Sequence, residues 1–100
     1  MMTKKPQRLS INESMTIYQA PELKARLLET LGSAEIIELD LSQVGEIDSA
    51  GLQLLLLAKR EAGAAGKTMT IVSHSPAVRE LIEFANLGRH FGDPLVISAR

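Results

Sequence analysis

The sequence predicts a single small α/β domain with the element order ββαβαβαβ. Short runs of β-forming residues alternate along the chain with longer segments in which apolar residues recur at helical spacing. Strands that alternate with helices are typical of parallel sheets whose strands are joined by right-handed crossovers. The first two strands follow each other without a helix between them. We therefore expect a mixed, mostly parallel sheet with one antiparallel element.

The first half of the chain contains three predicted strands and one helix. Two β-type runs, "RLSI" and "MTIY", are separated by the turn-like residues 12–14, and Tyr18 is interpreted as a packing residue at a strand end. A helix is predicted over residues 20–32, because Pro21 suits a first helical turn and Gly32 suits the position after a helix end. The run "EIIELDL" is typical of a strand. Three of its residues share one face, namely Ile37, Leu39 and Leu41.

The second half of the chain alternates helices and strands regularly. A second helix is predicted over residues 49–62, and "KTMTIVS" indicates the next strand. The segment that follows has a full set of helix signals, with Ser75 as the N-cap, Pro76 in the first position and Gly88 at the end. The run "PLVIS" predicts a last short strand.

Composition limits the classes of function. One hundred residues are enough for one domain with a buried core, and 45% apolar but only 3% aromatic residues predict a core of aliphatic side chains. A net charge of −1 gives no electrostatic reason to bind nucleic acid or an anionic membrane. The chain has no cysteine, and His74 and His90 lie far apart without ligand-like spacing. We therefore expect no disulfide, no metal site and no cofactor.

The amino-terminal residues do not resemble a targeting segment. The start "MMTKKPQRLS" is charged but lacks the apolar stretch of a signal peptide, and the longest apolar run is too short to span a bilayer. We expect a cytoplasmic, soluble protein without membrane insertion. Within it, residues 1–6 are expected to be a flexible tail and residues 7–100 to form the domain.

Ser49 is the main candidate for a functional residue, because it stands where the second helix is predicted to start. Serine is a favoured N-cap, whose oxygen accepts a hydrogen bond from a free N–H group of the first turn. A helix N-terminus also accommodates a phosphate, so phosphorylation of Ser49 is compatible with that role. A nucleophilic role is disfavoured, because "IDSAG" differs from the G-x-S-x-G pattern. We expect no enzyme activity and no catalytic residue.

The run of four leucines at residues 54–57 raises the question of which of them are buried. At about 100° per residue, Leu54 and Leu55 fall with small residues on the core-facing arc, whereas Leu56 lies about 20° from Ser49 on the opposite side. Leu56 is therefore predicted to be at least partly exposed. Two interpretations remain open: a helix covered on more than one side by neighbouring helices, or an apolar patch that binds a partner.

Two segments, "LDLSQVGEIDSAGLQLLL" and "GKTMTIVSHSPAVRELIEFANL", closely resemble the STAS domain of bacterial anti-sigma factor antagonists. The signature is a strand that ends in D-L-S, a turn, and D-S-x-G-L at the start of a helix. The resemblance implies a mixed sheet with helices packed mainly on one side. It also implies a signalling role, in which an anti-sigma factor that is also a serine kinase phosphorylates the residue that matches Ser49. A phosphoserine phosphatase restores the unphosphorylated form.

In such a family the unphosphorylated protein binds its partner and frees a sigma factor. We expect the binding surface to consist of Asp48, Ser49, Ala50, Gln53, Leu56, Leu57 and Arg60. STAS domains also occur in chemotaxis clusters and in transport-associated complexes. The alternative function is therefore a constitutive subunit of such a complex without a phospho-switch, and chemotaxis-type signalling proteins are further candidate partners. Thr16 stands where family members often carry an aspartate beside the phosphorylated serine.

Overall fold

The computed structural model describes residues 5–85, in which three strands alternate with three helices. In chain order these elements are β1 (Gln7–Ser10), α1 (Ala20–Ser33), β2 (Ile36–Leu41), α2 (Ser49–Ala64), β3 (Thr68–His74) and α3 (Pro76–Phe84). The predicted last strand, at residues 94–98, lies outside the described residues. Within the described part of the chain, no helix has the length and apolar character needed to cross a membrane.

The three described strands form one parallel sheet. β2 lies in the middle, with β1 paired along one side and β3 along the other. Leu39 of β2 lies opposite Leu9 of β1 and opposite Ile71 of β3, which aligns apolar positions across the sheet. After Leu39 the register shifts, because Asp40 pairs with Ser73 and one residue of β3 is passed over. The predicted α/β fold with a mostly parallel sheet is confirmed.

One face of the sheet is covered by the helices. Along β2, Ile37, Leu39 and Leu41 are buried, whereas the residues between them are half-buried. These three side chains belong to a single hydrophobic cluster that includes apolar residues from every described helix. Its helical members are Leu23, Leu27 and Leu31 of α1, Leu54, Leu55, Ala58 and Ala62 of α2, and Val78 and Ile82 of α3. The predicted orientation of β2 is therefore confirmed.

The second predicted strand, "MTIY" at residues 15–18, is wrong, and so is the antiparallel element that it would form. Met15 makes one isolated bridge, which is parallel, to Ile47. The chain then turns, because the Thr16 N–H and hydroxyl both donate to Oε1 of Gln19, at 3.0 and 2.5 Å, and not to a neighbouring strand. A segment of β-forming composition therefore serves as the turn that leads into α1.

The starts of α2 and α3 agree with the sequence, whereas the end of α1 does not. α2 begins at Ser49, and α3 follows the N-cap Ser75, whose Oγ accepts a hydrogen bond from the Val78 N–H at 3.2 Å. α1 includes Gly32 and ends at Ser33, so Gly32 is not the residue that terminates it. The chain leaves α1 in an extended conformation, which any residue can adopt, and no left-handed glycine is needed there.

Candidate functional site

The candidate site lies at the carboxyl end of β2, where residues 42–48 lead into α2. The segment between β1 and α1, residues 11–19, lies beside this loop. Two backbone hydrogen bonds join them: the Met15 N–H donates to the Glu46 carbonyl at 2.8 Å, and the Asp48 N–H donates to the Met15 carbonyl at 3.3 Å. Two loops at the same edge of the parallel sheet therefore form one surface around the start of α2.

Asp48, and not Ser49, caps α2. Its backbone is extended, and its Oδ1 accepts hydrogen bonds from the N–H groups of Ala50 at 2.9 Å and Gly51 at 3.2 Å. The prediction that Ser49 is the N-cap is therefore wrong by one residue. The reason is that the carboxylate of Asp48 already satisfies free N–H donors of the first turn. Ser49 is the first residue of the helix itself.

Asp48 also holds the neighbouring loop. Its second oxygen, Oδ2, accepts a hydrogen bond from the Ile17 N–H at 3.1 Å. Burial raises the pKa of the Asp48 carboxyl, but the N–H donors of Ile17, Gly51 and Ala50 together favour the ionised form more strongly. The pKa therefore lies below its ordinary value of 3.8. With both oxygens engaged, Asp48 organises the site and is not a free acid or base.

The side chain of Ser49 is exposed. Among residues 5–85 its hydroxyl takes part in no hydrogen bond, because the bonds of the cap are made by Asp48. An exposed hydroxyl is accessible to a modifying enzyme. A phosphate added there would also lie near the partial positive charge of the α2 N-terminus.

Gly51 allows the start of α2 to approach the Met15 segment. A Cβ atom at this position would lie 2.1 Å from the Met15 carbonyl oxygen and 2.9 Å from Cγ1 of Ile47. Real Cβ atoms do not approach other atoms so closely, so a side chain would force the helix and the loop apart. The glycine in "DSAG" is therefore explained by packing between the two segments of the site.

Thr16 shapes the turn beside Asp48. Its hydroxyl donates to Gln19, as described above, and accepts a hydrogen bond from the Tyr18 N–H at 3.3 Å. Its carbonyl accepts from the N–H groups of Gln19 and Ala20, both at 3.0 Å. Where the family resemblance suggests an aspartate, this chain thus has a neutral residue whose polar atoms are used within the turn.

Two large apolar side chains are exposed on this turn. Ile17 is 64% exposed and Tyr18 is 88% exposed. The interpretation of Tyr18 as a packing residue is wrong, because the segment is a turn and the ring does not face the core. Ile17 was not predicted to belong to the site. Its one sequence signal is an apolar pair just before a helix start, and neighbouring exposed apolar residues of this kind are typical of protein-binding surfaces.

A groove of about 830 Å³, here called the α1–α2 groove, is lined by residues of these two helices. Ala20, Pro21 and Lys24 contribute from α1. The α2 residues comprise five of the predicted binding residues, Ala50, Gln53, Leu56, Leu57 and Arg60, together with Leu54 and Lys59. The other two predicted residues, Asp48 and Ser49, precede them at the start of α2. The structure therefore places five of the seven predicted residues in this groove, and the role of all seven in binding stays a prediction.

The leucine run divides as predicted. Leu54 is 5% exposed and Leu55 is fully buried, whereas Leu56 is half-buried. Leu56 and Leu57 pack against the core cluster and also line the α1–α2 groove. The structure therefore shows that these two side chains are partly covered within the domain, and the interpretation of the run as a partner-binding patch stays a prediction.

Within residues 5–85, no group of three or more His, Asp and Glu side chains is arranged to hold a metal ion. His74 is the last residue of β3 and is half-buried. His90 lies outside the described residues.

Comparison with known proteins identifies relatives of this fold. A family described as "Mlab, STAS domain" matches residues 1–97. Comparison with the curated proteins finds no match. Among solved structures, a protein of Thermotoga maritima described as a candidate anti-sigma factor antagonist is 26% identical, with a TM-score of 0.74 over 82% of this chain and 72% of the relative.

Two further solved proteins share the fold at lower identity. The Bacillus anti-sigma factor antagonist SpoIIAA is 21% identical in both of its forms. Its unphosphorylated form has a TM-score of 0.70 over 93% of this chain and 83% of the relative, and its phosphorylated form has 0.67 over 93% and 86%. A sulfate transporter family protein of Wolinella succinogenes is 15% identical, with a TM-score of 0.66 over 87% of this chain and 71% of the relative. The fold therefore occurs in proteins with different roles.

Proposed function

This chain belongs to the STAS domain family, and on that premise we propose that it is a signalling protein like the anti-sigma factor antagonists. It binds a partner that is both an anti-sigma factor and a serine kinase, through the surface around the start of α2. Phosphorylation of Ser49 ends this binding, and a phosphoserine phosphatase restores it. In this proposal the protein acts in the cytoplasm as a binding partner and is not an enzyme.

The observation that carries the proposal is that Asp48 caps α2, whereas Ser49 does not. Asp48 makes the cap bonds to Ala50 and Gly51, so the hydroxyl of Ser49 is not needed to start α2. That hydroxyl is exposed and lies on the same helix as the α1–α2 groove. A phosphate can therefore be added at the edge of the proposed binding surface without removing a hydrogen bond that the described fold uses.

A phosphate on Ser49 is expected to act on the interface more than on the fold. It adds about −1.5 to −2 charges at neutral pH. The N-terminus of a helix offsets such a charge by about 0.3–1 kcal/mol, whereas one like-charge contact about 4 Å away in a docked partner costs about 4 kcal/mol at an effective dielectric constant near 20. A net penalty of ~3–4 kcal/mol weakens binding about a hundred- to thousandfold. Phosphorylation should release the partner and leave the domain folded.

The relatives support this proposal. SpoIIAA has been solved in an unphosphorylated and a phosphorylated form, and both share the fold of this chain. The fold therefore persists in a relative that carries a phosphate. The Thermotoga maritima relative is also described as a candidate anti-sigma factor antagonist.

A second candidate function is a constitutive STAS subunit of a chemotaxis or transport-associated complex, and Thr16 favours it. Thr16 is neutral, and its hydroxyl bonds Gln19 and Tyr18 within its own turn. A kinase that recognises a carboxylate at this position would find none. The sulfate transporter family relative shows that the fold also occurs in transport proteins. In this alternative, Ser49 stays unmodified and the partner stays bound.

Mass spectrometry of the protein from its own cells, with and without phosphatase inhibition, distinguishes the two candidates. The switch predicts a phosphate on Ser49 that accumulates when phosphatases are inhibited and is absent from Ser49→Ala. Ser42→Ala is the matched control, because the Ser42 hydroxyl is half-buried and donates to Oδ1 of Asp40 at 2.7 Å. A chain that carries no phosphate on Ser49 under either condition would favour the constitutive subunit.

The second test measures how well the chain captures its partner protein from the same cells. Ser49→Asp should weaken capture, although aspartate copies phosphate poorly, and Ser49→Ala should leave capture intact. The decisive measurement compares the affinity of the phosphorylated and the unmodified protein. Equal affinities would show that charge at Ser49 does not control the interface.

A further inference from the structure

The α1–α2 groove combines apolar side chains with positive charge. Its apolar lining residues include three leucines of α2, namely Leu54, Leu56 and Leu57. Among its described lining residues, Lys24, Lys59 and Arg60 are cationic and none is a carboxylate. A net charge of −1 for the whole chain makes this local concentration of cations stand out.

Two of these cations are available to a ligand. Lys24 and Arg60 are exposed, and within residues 5–85 neither takes part in an ion pair. Lys59 differs, because its Nζ donates to the Met69 carbonyl at 2.8 Å, which fixes its position. Available cations beside leucine side chains favour a ligand in which carboxylates flank an apolar face.

The spacing of the lining residues on α2 is also typical of a surface that packs against another helix. Lining residues recur on α2 every three or four positions, from Ala50 through Gln53 and Leu57 to Arg60. At about 1.5 Å per residue these positions extend over about 15 Å of the helix axis. Side chains at such spacings form the ridges and grooves into which another helix packs. The length favours an elongated helical ligand over a compact small molecule.

We propose that the α1–α2 groove binds an acidic amphipathic helix of the partner protein. The apolar face of that helix packs on the leucines, and its carboxylates contact Lys24 and Arg60. Ile17 and Tyr18 lie in the turn before α1 and are exposed, and the Ile17 N–H donates to Asp48, which precedes Ser49. They offer further apolar surface for the same partner. The inference rests on the proposed function, because it specifies the kind of segment by which the partner docks.

The first experiment titrates the full chain with two synthetic peptides of about 18 residues, a length that supports helix formation. Both peptides carry leucines at positions i, i+3, i+4 and i+7, flanked by glutamates in one peptide and by lysines in the other. Fluorescence anisotropy gives the affinities, and amide chemical shifts map the contact. The acidic peptide should bind in the α1–α2 groove, lose affinity as salt is raised, and bind at least about tenfold more tightly than the lysine peptide.

The second experiment reverses the charges of the groove. Lys24→Glu combined with Arg60→Glu should lower the affinity for the acidic peptide at least about tenfold and raise the affinity for the lysine peptide. The matched control combines Lys5→Glu with Arg79→Glu, which changes the net charge equally at residues that do not line the groove. The control should leave both affinities within about twofold, as expected for screened distant charges.

Several results would overturn the inference. One is an acidic peptide that fails to bind at about 1 mM, the weak end of specific affinities. Equal affinities of the two peptides would also overturn it, and so would peptide-induced changes of amide chemical shifts that lie outside the groove. If the groove amides instead report self-association of the protein, the occupant of the groove is a second copy of this chain. If residues 86–100 lie close to the groove in the free protein, the occupant is the chain itself. If the peptide tests fail and Ser49 is phosphorylated, the proposed function stands without this inference. If the acidic peptide binds as expected but Ser49 carries no phosphate, the inference stands and the chain is a constitutive subunit whose groove binds an acidic helix.

Discussion

Asp48 and Ile17, which are 31 positions apart in the sequence, are joined by a hydrogen bond of 3.1 Å from the Ile17 N–H to Asp48 Oδ2. Through Oδ1 the same carboxylate accepts the N–H groups of Ala50 and Gly51. One side chain thus positions both the helix that begins at Ser49 and the turn that exposes Ile17. Because each oxygen serves a different segment, the two functions can be separated by mutation.

Asp48→Asn should keep the start of α2 and lose the link to Ile17. The asparagine oxygen can still accept the helix bonds, but its NH₂ group would face the Ile17 N–H and cannot accept from it. Asp48→Ala loses both functions. The denaturation midpoint should be highest for wild type, lower for Asp48→Asn and lowest for Asp48→Ala. Amide exchange should accelerate at Ile17 in both variants and at Gly51 only in Asp48→Ala, and continued protection of Ile17 in Asp48→Asn would contradict this assignment.

The stability of the domain should decrease in acid partly through Asp48. Its pKa in the folded state lies below the ordinary value of 3.8, so the unfolded chain binds the proton more readily. The contribution is therefore complete above the unfolded pKa and is lost as the pH falls through the lowered folded pKa. Chemical denaturation between about pH 5 and pH 3 should show a smaller decrease for Asp48→Asn than for wild type. Parallel decreases would show that ionised Asp48 does not stabilise the fold.

Gly51→Ala should destabilise the domain although alanine favours helices. The new Cβ atom would lie 2.1 Å from the Met15 carbonyl oxygen, and overpacking of this kind costs about 1–3 kcal/mol. Gly63→Ala is the matched control on the same helix, because no atom outside its own stretch of backbone lies within 4 Å of its Cβ position. It should stabilise by up to about 1 kcal/mol through helix propensity. Equal effects of the two changes on the free energy of unfolding would contradict the close contact with Met15.

Leu55→Ala and Leu56→Ala should affect different properties. Leu55 is fully buried, so its truncation should cost about 2–5 kcal/mol in the free energy of unfolding. Leu56 is half-buried and lines the groove, so its truncation should cost clearly less stability but weaken partner binding by more than about 1 kcal/mol. Denaturation and a binding titration on both variants measure this. A Leu56→Ala protein that unfolds as readily as Leu55→Ala would assign the whole run to the core.

The sequence predicts the core of this fold well, because burial leaves a periodic pattern. The alternation around Leu39 and the helical spacing around Leu55 follow directly from which face of each element meets the interior. The cap at Ser75 was also predicted correctly, because a serine followed by a proline suits few other positions. The start of α2 was located, but its capping residue was assigned to Ser49 and not to Asp48. Both residue types are good caps, and only the extended backbone of Asp48 decides between them.

The turn that carries Ile17 could not be predicted, because its cause is not local. β-forming residues at 15–18 favour a strand, but side-chain hydrogen bonds from Thr16 to Gln19 and a distant bond to Asp48 hold the segment in a turn. Tertiary contacts of this kind override strand propensity. The exposure of Ile17 and Tyr18 follows from the same contacts, so it became visible only in the structure.

The parallel pairing of the described strands also affects how the chain reaches its native state. Gln7 pairs with Ile37 and Ile36 pairs with Thr68, so each strand pair requires closure of a loop of about 30 residues, which includes an intervening helix. Among the described strands no hairpin is present to form early through contacts between sequence neighbours. Such non-local pairing is associated with slower folding than that of helical bundles of similar size. During this delay the apolar face of β2 and its unpaired backbone edges are exposed, so refolding at high protein concentration should compete with aggregation.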